Sequence, residues 1–233
     1  MIALYNEILF RPLFNFLVFI YNILPWHDFG LAIIILTGII RLVFFPLSVK
    51  SLVSQKSLNK LQPKIKELQE KFKNDKQALG QATMALYKEH DVNPFSGCLP
   101  MLVQLPVLLA FYKALGSGFK PENLSLLYHF VHNPGFIKEI SFGFLNLAHR
   151  SVPVVVLAGA LQWLQLKKAA AFQAGSPNEP ESAGAKMNKQ MLYFFPVMII
   201  IIGWNLPAGL VLYWLVTTIF SVLEQVYINK KYR

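Results

Sequence analysis

The chain is short of cysteine, of acid and of charge altogether. A single cysteine, Cys98, stands among 233 residues, so an intrachain disulfide is excluded and packing must hold the fold. Only 15% of residues are charged, with 12 acidic against 22 basic, and the histidines His27, His90, His129, His132 and His149 are scattered. There is no metal-spaced His or Cys cluster, His129 and His132 reading as an outer-surface pair rather than a metal site, and there is no glycine-rich phosphate loop and no nucleophile elbow. The sequence therefore predicts neither an enzyme nor a bound metal or cofactor.

Apolar residues fill the space. They make up 55% of the chain, 14% are aromatic, and the mean hydropathy is +0.44. They gather in long runs, where a water-soluble helix would need a polar face. This predicts an all-α integral membrane protein with five transmembrane helices, at 29–49, 97–115, 152–166, 191–204 and 208–228. Pro100 and Pro106 fall inside the second, and the last two, joined only through residues 205–207, form a tight helical hairpin. Residues 1–24 read as mature sequence. They carry apolar residues from Leu4 to Ile20 with Asn15 and Asn22 as polar breaks, which predicts an amphipathic interfacial helix, a spanning anchor being the alternative.

Basic residues set the orientation, because Lys and Arg stay on the cytoplasmic side. Of 22 basic residues, 16 fall in 50–94, 167–190 and 229–233, whereas 116–151 has only Lys120, Lys138 and Arg150. The N-terminus is thus predicted outside, 116–151 is an extracytoplasmic loop, and the 229–233 tail is cytoplasmic. The net charge of +10 is accounted for as a topology signal, and no nucleic acid substrate is expected.

Within 50–94 the pattern becomes periodic. Leu58, Leu61, Ile65, Leu68 and Phe72 repeat as a heptad seam, Asn74 and Asp75 signal a turn, and Leu79, Ala82 and Leu86 form a second stripe. This predicts a cytoplasmic helical hairpin, serving either as a spacer between spans or as a docking arm. The Ala-, Gly- and Ser-rich loop 167–190 is predicted to be flexible.

Arg41 interrupts the apolar run from Ile33 to Phe45. A guanidinium stays charged, and placing one at membrane depth costs ~2.5 to 3.5 kcal/mol on insertion scales. Arg41 either snorkels toward Leu47 or faces a water-containing cavity. Thr37, one turn earlier on the same face, Gln104, Gln162, Trp163, Trp214, Thr217 and Thr218 could line such a cavity. Glu224 lies near a cytoplasmic end, so Arg41 is expected to lack an internal counter-ion and to receive an anion from a partner.

Three stretches, GLAIIILTGIIRLVFFPL from Gly30, YKEHDVNPFSGCLPMLVQLPVLLAFY from Tyr87 and FPVMIIIIGWNLPAGLVLYWLVTTIFSVLEQVYI from Phe195, resemble the YidC family of membrane protein insertases. The resemblance covers nearly the whole chain. It implies a five-helix core in a bacterial inner membrane, with a hydrophilic groove open to cytoplasm and lipid. The family's groove residues fall on Arg41, Thr37, Gln104 and Trp214. It also implies nascent membrane proteins with short hydrophilic tails as clients. The Sec translocon, the ribosome and the signal recognition particle or its receptor would be partners at the hairpin. Apolar client helices would enter lipid beside the short third and fourth spans. The large extracytoplasmic domain and the lipoprotein signal of some family forms are not seen in this sequence.

Overall fold

The structure is a computed structural model and describes residues 2–97, 99–173, 193–194 and 196–231. Helix covers most of them, in the order α1 (Ile2–Tyr5), a π-turn (Asn6–Phe10), α2 (Arg11–Ile23), α3 (Phe29–Lys60), α4 (Gln62–Lys71), α5 (Lys76–Glu89), α6 (Leu99–Gly118), α7 (Val152–Gln173) and α8 (Ala208–Lys231). Residues 196–203 are also helical and lead through a turn at 204–206 into α8. Among the described residues, three stretches are long and apolar enough to cross a membrane: Ala3–Ile23, Phe29–Lys60 and Ala208–Lys231.

The centre of the molecule is α8. One face packs Leu210, Tyr213 and Val216 into a core with α2, α3 and α6, and another packs Val211 and Leu215 on Val155 and Ala158 of α7. Helix α3 lies mainly along α8 and touches α6 only lightly. Close approach depends on glycine at Gly30, where a Cβ would sit 2.8 Å from Ser141 Oγ, and at two further places. A Cβ on Gly209 would sit 2.7 Å from Leu115, and one on Gly159 would sit 2.6 Å from Ile200. Outward, Leu42, Val43, Leu102, Leu105, Leu157 and Ile201 are exposed, as the surface of a protein dissolved in lipid should be.

Several boundaries differ from the hydropathy reading. Helix α3 runs to Lys60, eleven residues beyond the predicted span end at 49, because an apolar run ends where lipid ends and a helix need not. The heptad seam breaks at Leu61: Pro63, which cannot donate to the preceding turn, opens a new helix α4 instead. Asp75 caps α5 by accepting from Gln77 N–H and Ala78 N–H at 3.1 and 2.9 Å. Helices α4 and α5 pack together, and Lys64 Nζ reaches His90 Nε2 at 2.8 Å. Helix α7 continues to Gln173, seven residues past the predicted end, through the helix-favouring Ala169–Ala171. Most of the loop 167–190, the beginning of the predicted span 191–204, Cys98 and the last two tail residues lie outside the described residues.

The 116–151 segment is ordered into a turn at Pro121–Leu126 and a small antiparallel hairpin, β1 (Ile140–Ser141) with β2 (Leu145–Asn146). Helix α2 is tied to this segment along its length. Asn15 Oδ1 accepts from Tyr128 N–H at 2.6 Å, Arg11 Nε donates to the Leu126 carbonyl at 3.2 Å, and Asn22 Nδ2 donates to the His132 carbonyl at 2.6 Å. These partners span residues 11–22, about 16 Å of helix. Asn15, a polar break in the sequence, is 2% exposed because both ends of its amide are bonded.

The N-termini of α3 and α8 are held by the same hairpin. Gly30 N–H donates to Ser141 Oγ at 2.7 Å, and Gly209 N–H donates to the Leu147 carbonyl at 3.0 Å. The two helices therefore start at one level and run the same way.

Candidate functional site

Arg41 lies 12 residues into α3 and Glu224 16 residues into α8, about 18 and 24 Å from the level where both begin. One helical turn separates them in depth, which two extended side chains can bridge. Arg41 Nη1 stands 3.8 Å from Glu224 Oε2, with the side chains 13% and 7% exposed. The expectation that Arg41 has no internal counter-ion is therefore wrong. Glu224 lies far from the middle of its own span, but the offset between helices and the reach of arginine decide the pairing.

The pairing is loose. At 3.8 Å the contact is an ion pair without a hydrogen bond, and Glu224 Oε1 is buried with no donor in reach. Ser48, two turns after Arg41 on the same stripe, places its side chain beside the same carboxylate. Next to the pair is a cavity of about 30 Å³ between α3 and α6, lined by Ile40, Arg41, Phe44, Leu47 and Ser48 on one side and Val103, Gln104 and Val107 on the other. It has room for a water or two and no more.

The predicted residues separate into two groups. Arg41 and Gln104 share the cavity wall, and Gln104 Nε2 donates to the Tyr213 hydroxyl. On the α7 side, Trp214 Nε1 donates to Gln162 Oε1 at 3.2 Å, and Gln162 Nε2 donates to Gln165 Oε1 at 2.6 Å. Among the described residues no hydrogen bond joins the two groups. Thr37 and Thr218 spend their hydroxyls on their own helices, donating to the Ile33 carbonyl at 2.6 Å and the Trp214 carbonyl at 2.9 Å. Both are buried, at 1% and 2% exposed.

Tyr213, Ser48 and Glu224 were not among the predicted residues. Tyr213 is 2% exposed, stacks on Phe111 at 4.2 Å between ring centres, and accepts the Gln104 bond. The signal was present in the spacing: 213, 217 and 224 fall on one stripe of α8, as 37, 41 and 48 do on α3.

A mainly helical chain with a lipid-facing apolar surface and a buried ion pair beside a small, mostly apolar cavity is a multi-pass membrane protein. The sequence model of the 60Kd inner membrane protein family matches residues 19–233, and the chain belongs to that family, the YidC family. It is 38% identical over 225 residues to the membrane protein insertase YidC of Fusobacterium nucleatum subsp. nucleatum, covering 96% of this chain and 98% of that protein. Proteins of the same name from Geotalea daltonii and Syntrophus aciditrophicus are 40% and 41% identical over 94% of this chain. The chain spans only 37% and 36% of those two longer relatives.

Proposed function

We propose that this protein is a membrane protein insertase. It receives the hydrophilic end of a nascent membrane protein beside Arg41 and releases the client's apolar helix into lipid. The observation that carries this reading is the Arg41–Glu224 pair, a buried cation held at 3.8 Å by an acid whose Oε1 has no donor. A client carboxylate at closer range can compete with such a partner. Two unit charges 4 Å apart attract by about 1 kcal/mol in water and about 4 at an effective dielectric of 20, and the stronger attraction offsets part of the cost of taking the acid's charge out of water.

The cavity is too small for a chain segment, so α3 and α6 part to admit one. Their packing is the light contact of the core, and lipid already meets the outer face of α6 at Leu102 and Leu105. Hydrophobic partitioning and the membrane potential drive release, without nucleotide hydrolysis. The chain sits in the bacterial inner membrane with its N-terminus outside and its C-terminus in the cytoplasm. Five helices cross, and the 2–23 helix lies along the outer surface. Its polar ties to the 126–132 loop over about 16 Å support that placement, since a crossing helix would drag the loop to membrane depth. The α4–α5 hairpin serves as the docking arm for the ribosome, the signal recognition particle or its receptor, or the Sec translocon.

The test is a photo-crosslinker at position 104 or 214 during translation of a single-span client with an acidic tail. The account expects adducts to the tail from 104. Adducts from neither position, with insertion intact, would overturn it.

A further inference from the structure

Two of the three non-glycine residues with left-handed backbone among the described residues lie in one small region, His27 at φ 47° and Phe142 at φ 55°. Such conformations cost about 1 kcal/mol or more and persist where the surroundings impose them. Here the imposing group is Asp28. Its Oδ1 accepts from Leu31 N–H at 2.9 Å and from the Ser141 hydroxyl at 2.7 Å, and its Oδ2 accepts from Phe142 N–H at 2.6 Å. With Gly30 N–H on Ser141 Oγ, these bonds fix the β1–β2 turn at the outer end of α3. Its height is that of the first residue of an apolar span, Phe29.

The side chains this clamp displays are large and bare. Phe144 is 82% exposed, Trp26 74% and Ile140 58%, and the Phe142 and Phe144 rings lie 6.4 Å apart. In water such a cluster is costly. At the level of lipid headgroups aromatic rings are favoured, since they bury their faces while staying near polar groups.

We propose that the β1–β2 hairpin, with Trp26, is a lipid-surface anchor: Phe142, Phe144, Ile140 and Trp26 sit in the headgroup layer of the outer leaflet and fix the depth of α3. The occupant is lipid because the patch is continuous with the first turn of a lipid-embedded helix and held to it by backbone bonds. A second copy of the chain is the competing occupant.

The test uses the full chain with Cys98→Ser in phosphatidylcholine–phosphatidylglycerol liposomes, spin-labelled at Phe144→Cys or, separately, at Trp26→Cys. Leu105→Cys gives the lipid reference and Glu67→Cys the aqueous one. Both hairpin labels are expected to shift from the Glu67 value toward the Leu105 value in the ratio of oxygen to nickel-complex accessibility. That shift should persist on dilution with lipid. Labels matching Glu67, or a shift that vanishes on dilution and so reports a second copy, would overturn the proposal. Two label sites guard against a local failure to fold at either one.

Discussion

A guanidinium at position 41 must be satisfied in every state of the protein, and Glu224 satisfies it in the resting one. Replacing Glu224 by Gln leaves the cation buried and unpaired, with an expected loss of stability on the order of 1 to 3 kcal/mol in thermal unfolding. Replacing both residues by Leu should recover most of that stability, because a buried pair exchanged for apolar groups is often neutral or better. Client insertion should be lost in the double variant, which has no Arg41, so stability and function part company. The arginine was legible in the sequence because a lone charge in an apolar run has a known cost. Its acid was not, because depth was judged within each span separately. Gln104 is legible and Tyr213 is not for a related reason: Gln104 is a polar residue in an apolar run, while Tyr213 is marked only by the phase of α8 that groups 213, 217 and 224.

Among the elements, turn chemistry was the most readable feature and helix length the least. The Asn74–Asp75 turn appears where it was expected, and Asp75→Ala should cost α5 about 0.5 to 2 kcal/mol, seen as faster amide exchange in its first turn. Helix ends escaped because α3 and α7 leave the apolar run and continue as helix. Packing between α7 and residues 196–203 rests on Gly159. Its change to Val should push Ile200 aside and destabilise the contact by about 1 to 3 kcal/mol in thermal unfolding. The hairpin at the N-terminal end of α3 depends on the ionised Asp28. Burial pushes its carboxyl up, but the bonds from Phe142, Leu31, Ser141 and Gly30 outweigh that and hold it below the usual carboxylate range. A lowered folded value means the clamp's contribution is complete above about pH 4 and is lost as pH falls through the folded value. Amide exchange at Phe142 should therefore quicken at low pH in the parent and vary little with pH in Asp28→Asn.

For the molecule as a whole, composition carries the class, a helical membrane protein. What it cannot carry is the parallel start of α3 and α8, which comes from backbone bonds to a loop that reads as featureless, through Ser141 and Leu147. That shared starting level sets Arg41 and Glu224 one turn apart and places the cavity between α3 and α6. The central claim is that the charge of Arg41 receives clients. The most direct measurement is insertion of a single-span client with an acidic tail into liposomes by the parent, Arg41→Lys and Arg41→Leu. The account predicts partial activity for Arg41→Lys and loss for Arg41→Leu. Insertion by Arg41→Leu equal to that of the parent would contradict it.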